Sequence, residues 1–237
     1  MPVDVDLSFI RYPTQRAIVA EAVGAAHMDA AIIGLLLAGS FARGDATRLS
    51  DLDHYALVRD GCSRPFYAGT RRGILVEWHY ADLARALTKL AQSPMAWYTY
   101  VDGRILYDPE GQLQRLTRLA HQHFATYAVP AEERAGIAHW LASAQVKVAA
   151  ARDAGDGLRA AYIVTTTAHE VLVGLWAVNQ RPLPPSGGIP AHLADLPRRP
   201  THLPDWFERL MRGTPEERVA TFEALCQWLV PQLRGPA

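Results

Sequence analysis

An apolar run, Ile32–Ala38, stops at Gly39-Ser40, and eleven residues after Ser40 a pair of carboxylates, Asp51 and Asp53, opens a second apolar run. The first run has the length and bounding glycine of a buried strand. Gly39-Ser40 then makes a turn in which the backbone can come close to an anion. If 51–58 is a strand, its period of two puts Asp51 and Asp53 on one face. Two carboxylates side by side repel each other unless a cation or hydrogen-bond donors lie between them. A hard divalent ion such as Mg²⁺ suits the place, because it binds a few carboxylates together with substrate phosphates.

The rest of the first half alternates strands and helices. Residues 13–28 predict an amphipathic helix that Thr14 can cap. A short helix is expected over 41–45 and a short strand over 66–68. Residues 73–80, GILVEWHY, read as a strand with Ile74, Val76, Trp78 and Tyr80 on an apolar face. Glu77 shares the other face with Leu75 and His79. Asp82 is expected to cap a helix running to about residue 91. Residues 97–107 predict a strand pair turning at Asp102-Gly103, and Asp108-Pro109 predicts a helix start. His54 is expected to be an internal histidine with satisfied hydrogen bonds, facing away from the Asp51–Asp53 side.

From residue 131 onward the pattern is helical throughout, at 131–153, 158–179, 204–211 and 215–233. The fold class expected is α+β: a small mixed-sheet domain over 1–128 followed by an all-helical bundle over 129–237, with the boundary at Val129-Pro130. Lys+Arg and Asp+Glu each total 24 in 237 residues, so no global positive field invites a nucleic-acid backbone. Cys62 and Cys226 are the only cysteines, without metal-ligand spacing, and are read as reduced thiols of a cytoplasmic protein. The N-terminal residues lack the charged and apolar blocks of a signal peptide, and no apolar run suggests a membrane span.

The stretch GSFARGD followed by SDLD resembles the polymerase-beta-like nucleotidyltransferase superfamily, on Gly39, Ser40, Arg43, Gly44, Asp51 and Asp53. It is most similar to the small bacterial two-domain type that includes antibiotic-modifying enzymes of the aminoglycoside and lincosamide kinds. The resemblance implies a nucleotidyltransferase domain followed by a helical acceptor-binding domain. It implies an NTP such as ATP as co-substrate, with Asp51 and Asp53 on Mg²⁺ and two ions engaged during catalysis. It also implies a third carboxylate on a neighbouring strand, for which Glu77 is the candidate. Glu77 either ligates the metal or acts as general base toward the acceptor hydroxyl, and both roles stand open. Gly39 and Ser40 would hold the phosphates, Arg43 would pair with them, and Lys147 would reach the polyphosphate from the helical half, which would form the cleft's other side.

The expected reaction moves a nucleoside monophosphate to a hydroxyl of a small molecule, an antibiotic or a biosynthetic intermediate, with release of pyrophosphate. A polycationic acceptor calls for an acidic cleft, and the helical half shows no obvious acidic cluster, with only pairs around Glu132-Glu133 and Asp153/Asp156. His169, Glu170, Trp176 and Asn179 are either acceptor contacts or edge-of-core residues. The rival readings are transfer to a protein or tRNA, and a non-enzymatic, antitoxin-like NTP-binding protein. A homodimer is compatible with these features, and the sequence does not fix the oligomeric state.

Overall fold

The structure, a computed structural model, describes residues 5–235. The fold is α+β: a five-stranded mixed sheet with flanking helices, then a wholly helical region. Two compact units divide the chain, residues 1–126 with Pro184–Gly188, and residues 127–183 with 189–237.

In the first unit, α1 (Pro13–Met28) leads into β1 (Ile32–Ala38), α2 (Gly39–Arg43), β2 (Leu52–Val58), β3 (Tyr67–Arg71) and β4 (Ile74–Asp82). Next come α3 (Leu83–Gln92), α4 (Trp97–Val101), β5 (Arg104–Tyr107) and α5 (Gln112–Thr126). The sheet order is β3-β4-β2-β1-β5; β2 and β4 run parallel and every other pair is antiparallel. A parallel pair needs a crossover connection, and here β3 lies between the two in sequence, at the sheet edge. One face packs under α1, where Ile18, Val19, Ala22, Val23 and Ala26 share a core with Leu35, Leu37, Leu52, Val58 and Val76. All seven residues of β1 are buried, as expected of a central strand covered on both faces.

Several local expectations need correction. Tyr12, not Thr14, is the N-cap of α1, with Pro13 supplying the first turn and no side-chain cap present. Gly39 and Ser40 are the first residues of α2 and do not form a turn ahead of it. The segment 97–107 is not a hairpin: a 3₁₀ turn at Pro94–Ala96 continues into α4, and only Arg104–Tyr107 is a strand. The aromatic residues that suggested a strand are instead buried on a helix, with Trp97, Tyr98 and Tyr100 all in the core. Trp97 Nε1 donates to the Leu90 carbonyl at 2.7 Å, tying α4 to the end of α3. Asp108 does cap α5, but across an intervening turn, accepting from Leu113 N at 3.1 Å and Gln114 N at 2.9 Å. Asp82 caps α3 as expected, accepting from Arg85 N at 2.8 Å.

The second unit holds α6 (Ala131–Asp153), α7 (Gly157–Val178), α8 (Ile189–His192), α9 (Leu203–Arg212) and α10 (Pro215–Arg234). Ile137, Leu141, Val148, Val164, Val171, Leu175, Phe222 and Leu229 form its core. A capping box starts α10, with Thr214 and Glu217 each bonding the other's backbone. By length and composition α7 could cross a membrane, contrary to the sequence reading, yet half of its apolar window is buried within the fold. Asn179 is fully engaged as a clasp: its amide donates to the carbonyls of Leu175 and Arg198, and its oxygen accepts from Arg198 N, each at 2.7 Å. That pairing makes it a structural residue, not an acceptor contact.

Candidate functional site

Sheet register assembles the site. Ala38, the last residue of β1, is the partner of Asp53 on β2, and Asp53 is in turn the partner of Glu77 on β4. Neighbouring strands lie about 4.8 Å apart, so this register sets Ala38, Asp53 and Glu77 in a row across three strands, with Gly39 the next residue after Ala38. Period two then carries Tyr55 and His79 onto the same face, where their rings stack with centroids 4.5 Å apart. His54 and Trp78 occupy the opposite face and also stack, at 4.7 Å.

A cavity of about 390 Å³ opens over this row. Gly39, Ser40, Arg43, Asp51, Asp53 and Glu77 all line it, so six of the seven sequence-predicted site residues meet in one place. Lys147 belongs to the second unit, at an exposed position of α6. Gly39 has φ +68°, and a Cβ there would overlap Asp53 Oδ2. Glycine is therefore required twice over, for the left-handed backbone and for the approach of the carboxylate. The Ser40 hydroxyl is buried without a hydrogen-bond partner. A partnerless buried hydroxyl is costly unless something outside the chain completes it. Arg43 leans on Asp45, its Nε 3.3 Å from Oδ1, and its Nη2 donates to Asp45 and to the Gly187 carbonyl, both at 3.4 Å. These contacts are long, and the Nε lacks a hydrogen bond of good geometry.

The carboxylates strain against each other. Burial first, then the charges of Asp51 and Glu77, push the Asp53 pKa up to about 6, with Arg43 opposing. Such repulsion is what a bound cation would relieve. Among the described residues no three His, Cys, Asp or Glu side chains converge as a ready ligand set. An ion held there would need most of its ligands from substrate phosphates and water. His79 Nε2 lies 3.8 Å from Glu77 Oε2, and burial ahead of the nearby Lys89 charge holds its pKa below the usual imidazole range.

His54 is internal as expected, at 0% exposure, but it is not satisfied: neither ring nitrogen has a hydrogen-bond partner. Burial lowers its pKa to about 4, joined by the Arg71 charge; the Glu77 backbone beside the ring acts in the opposite sense without reaching hydrogen-bond geometry. The neutral ring therefore serves as an aromatic slab on Trp78.

Sequence reasoning missed Tyr55, Tyr98, Thr99 and Asp102, and the wall formed by Pro185, Gly187 and Gly188. Tyr55 was within reach, since the alternation that pairs Asp51 with Asp53 continues to it. Tyr98, Thr99 and Asp102 were hidden by reading α4 as a hairpin. Gly187 and Gly188 lie more than a hundred residues from the motif, and no local pattern points to them.

No protein-family profile matches this chain, and no curated protein is similar to it. Among solved structures, a nucleotidyltransferase-like protein from Exiguobacterium sibiricum is 14% identical at a TM-score of 0.41, over 92% of this chain and 73% of that one. At that level the likeness carries no weight, and the functional reading rests on the residues of the site.

Proposed function

We propose that the chain is a nucleotidyltransferase that moves a nucleoside monophosphate from an NTP to a hydroxyl of a small molecule, releasing pyrophosphate. The observation that carries the reading is the meeting, in one cavity, of the partnerless Ser40 hydroxyl, the Gly39 backbone pressed against Asp53, and the carboxylates Asp51, Asp53 and Glu77. Ser40 and Gly39 hold phosphate oxygens, and Arg43 exchanges its long contacts with Asp45 and Gly187 for a charge-assisted pair with the same group. Asp51 and Asp53 would hold Mg²⁺, which when bound would neutralise phosphate charge and acidify the acceptor hydroxyl. Glu77, one strand over and beside His79, takes the hydroxyl proton. The protein's own part is placement and charge complementarity, since in-line phosphoryl chemistry asks for little else. Lys147 enters this scheme on resemblance alone.

The test is pyrophosphate release with Mg²⁺, each NTP and a panel of hydroxylated small molecules, proteins and RNAs. Asp53→Asn is expected to abolish release while keeping the melting temperature of the metal-free protein at or above wild type. Wild-type-like turnover in that variant sinks the assignment. Glu77→Gln is expected to lower kcat far more than it raises the KM for NTP.

A further inference from the structure

A second cavity, of about 350 Å³, adjoins the first and shares Tyr55, His79 and Thr99 with it. The stacked Tyr55–His79 pair is the partition, steadied by Phe66, 4.8 Å from the His79 ring. Its volume falls in the range of small-molecule pockets.

The two cavities have opposite charge. Asp51, Asp53, Glu77 and Asp102 line the first, with Arg43 as its only Lys or Arg. Arg64, Arg85 and Lys89 line the second, and no carboxylate does. Arg64 is partly neutralised by Asp29 at 2.7 Å and lies over the Tyr80 ring. Arg85 and Lys89 form no ion pair with a carboxylate among the described residues; Lys89 only overhangs the Tyr55 ring at 5.8 Å. They stand four residues apart on α3, hence on one face, where like charges repel. Both stand at exposed positions, Lys89 over the Tyr55 ring and in the last turn of α3, and an anion in the cavity would pair with both. Phe66, Tyr80 and Tyr100 give the same cavity aromatic walls.

Resting on the nucleotidyltransferase reading, we propose that this cavity is the acceptor subsite and that the acceptor is a small organic anion. Its carboxylate or phosphate pairs with Arg85 and Lys89, and its apolar or aromatic body packs on Phe66, Tyr80 and Tyr100. Its hydroxyl reaches past Tyr55 toward Asp53, a span of about 7 Å for two residues of strand. The hydroxyl oxygen then forms the new bond to the α-phosphorus, and its proton passes to Glu77. The bond between the α-phosphorus and the bridging oxygen breaks, and pyrophosphate leaves with the electron pair. A polycationic aminoglycoside is the wrong guest for such a cavity.

Matched probes decide this by ligand-observed NMR on the full chain: 4-hydroxybenzoate and 4-hydroxyphenyl phosphate against neutral 4-hydroxybenzyl alcohol and cationic tyramine. The anions are expected to bind at least tenfold more tightly than the other two, with or without saturating MgATP. The double variant Arg85→Gln/Lys89→Gln, at exposed helix positions, is expected to erase that preference while leaving the KM for NTP unchanged. Equal binding of all four probes, an unaltered preference in the double variant, or displacement of the anions by ATP each overturns the subsite. The parent reading is judged separately, by pyrophosphate release and Asp53→Asn.

Discussion

Gly39 and Asp53 meet more closely than any side chain between them would allow, and that contact links backbone conformation to chemistry. A Gly39→Ala variant meets two penalties. A left-handed backbone costs a non-glycine residue about 1–2 kcal/mol, and the new methyl must displace the Asp53 carboxylate. Misplacing a reacting group by about 1 Å can cost roughly a hundredfold in rate, so turnover is expected to fall at least that far while the protein still folds. Wild-type kcat in Gly39→Ala would show that the carboxylate need not sit where it does. Ser40 separates binding from folding in a different way. Its hydroxyl has no partner to lose, so Ser40→Ala should leave the melting temperature unchanged or slightly higher. The KM for NTP is expected to rise about tenfold, the scale of one charge-assisted hydrogen bond of about 1.5 kcal/mol. A drop in melting temperature with an unchanged KM would make the hydroxyl structural.

At the scale of elements, the turn from α4 into β5 is a closely packed joint near the site. A Cβ on Gly103 would overlap the Thr99 carbonyl and come within 2.8 Å of Leu36 Cδ2. Gly103→Ala is therefore expected to cost about 2 kcal/mol through overpacking, measurable as a lowered urea midpoint with an unchanged slope. An unchanged midpoint would mean that α4 shifts freely, and with it Thr99 on the cavity wall. This joint also marks the limit of what the sequence disclosed. The strands β1, β2 and β4 were legible because their alternation or apolar continuity is a property of each segment alone. The Asp51/Asp53 pair and Glu77 were legible for the same reason, since period two assigns a face without any tertiary knowledge. Helix α4 was not legible: Trp97, Tyr98 and Tyr100 favour a strand by propensity, and burial against α3 and α5 overrides it. His54 was legible as internal but not as partnerless, because satisfaction depends on neighbours that only the folded chain supplies.

For the molecule as a whole, two groups on opposite faces of β2, His54 buried and Asp53 half-buried, set competing responses to pH. His54, held to about 4, refuses in the folded state a proton that the unfolded chain accepts below about 6.5. Stability is therefore lost as pH falls from 6.5 toward 4, by up to about 1.4 kcal/mol per unit. Asp53 works in the opposite sense. Its pKa is raised from 3.8 to about 6, so the folded state keeps a proton that the unfolded chain has released. Its contribution is present below about 4, lost as pH rises to 6, and regained on acidification. In the metal-free protein the two slopes oppose each other, and the melting temperature should change little between pH 6.5 and 4.5. Mg²⁺ would keep Asp53 ionised to lower pH and remove its half of the balance. The melting temperature should then rise on adding Mg²⁺ at pH 7.5, and the gain should vanish by about pH 5, as protons displace the ion. His54→Leu removes the other half together with the two unpaired ring nitrogens. Without metal, that variant is expected to become more stable between pH 7 and 5, where wild type stays level. A His54→Leu protein that loses stability over that range would place the acid response elsewhere and leave the raised Asp53 pKa without a thermodynamic counterpart.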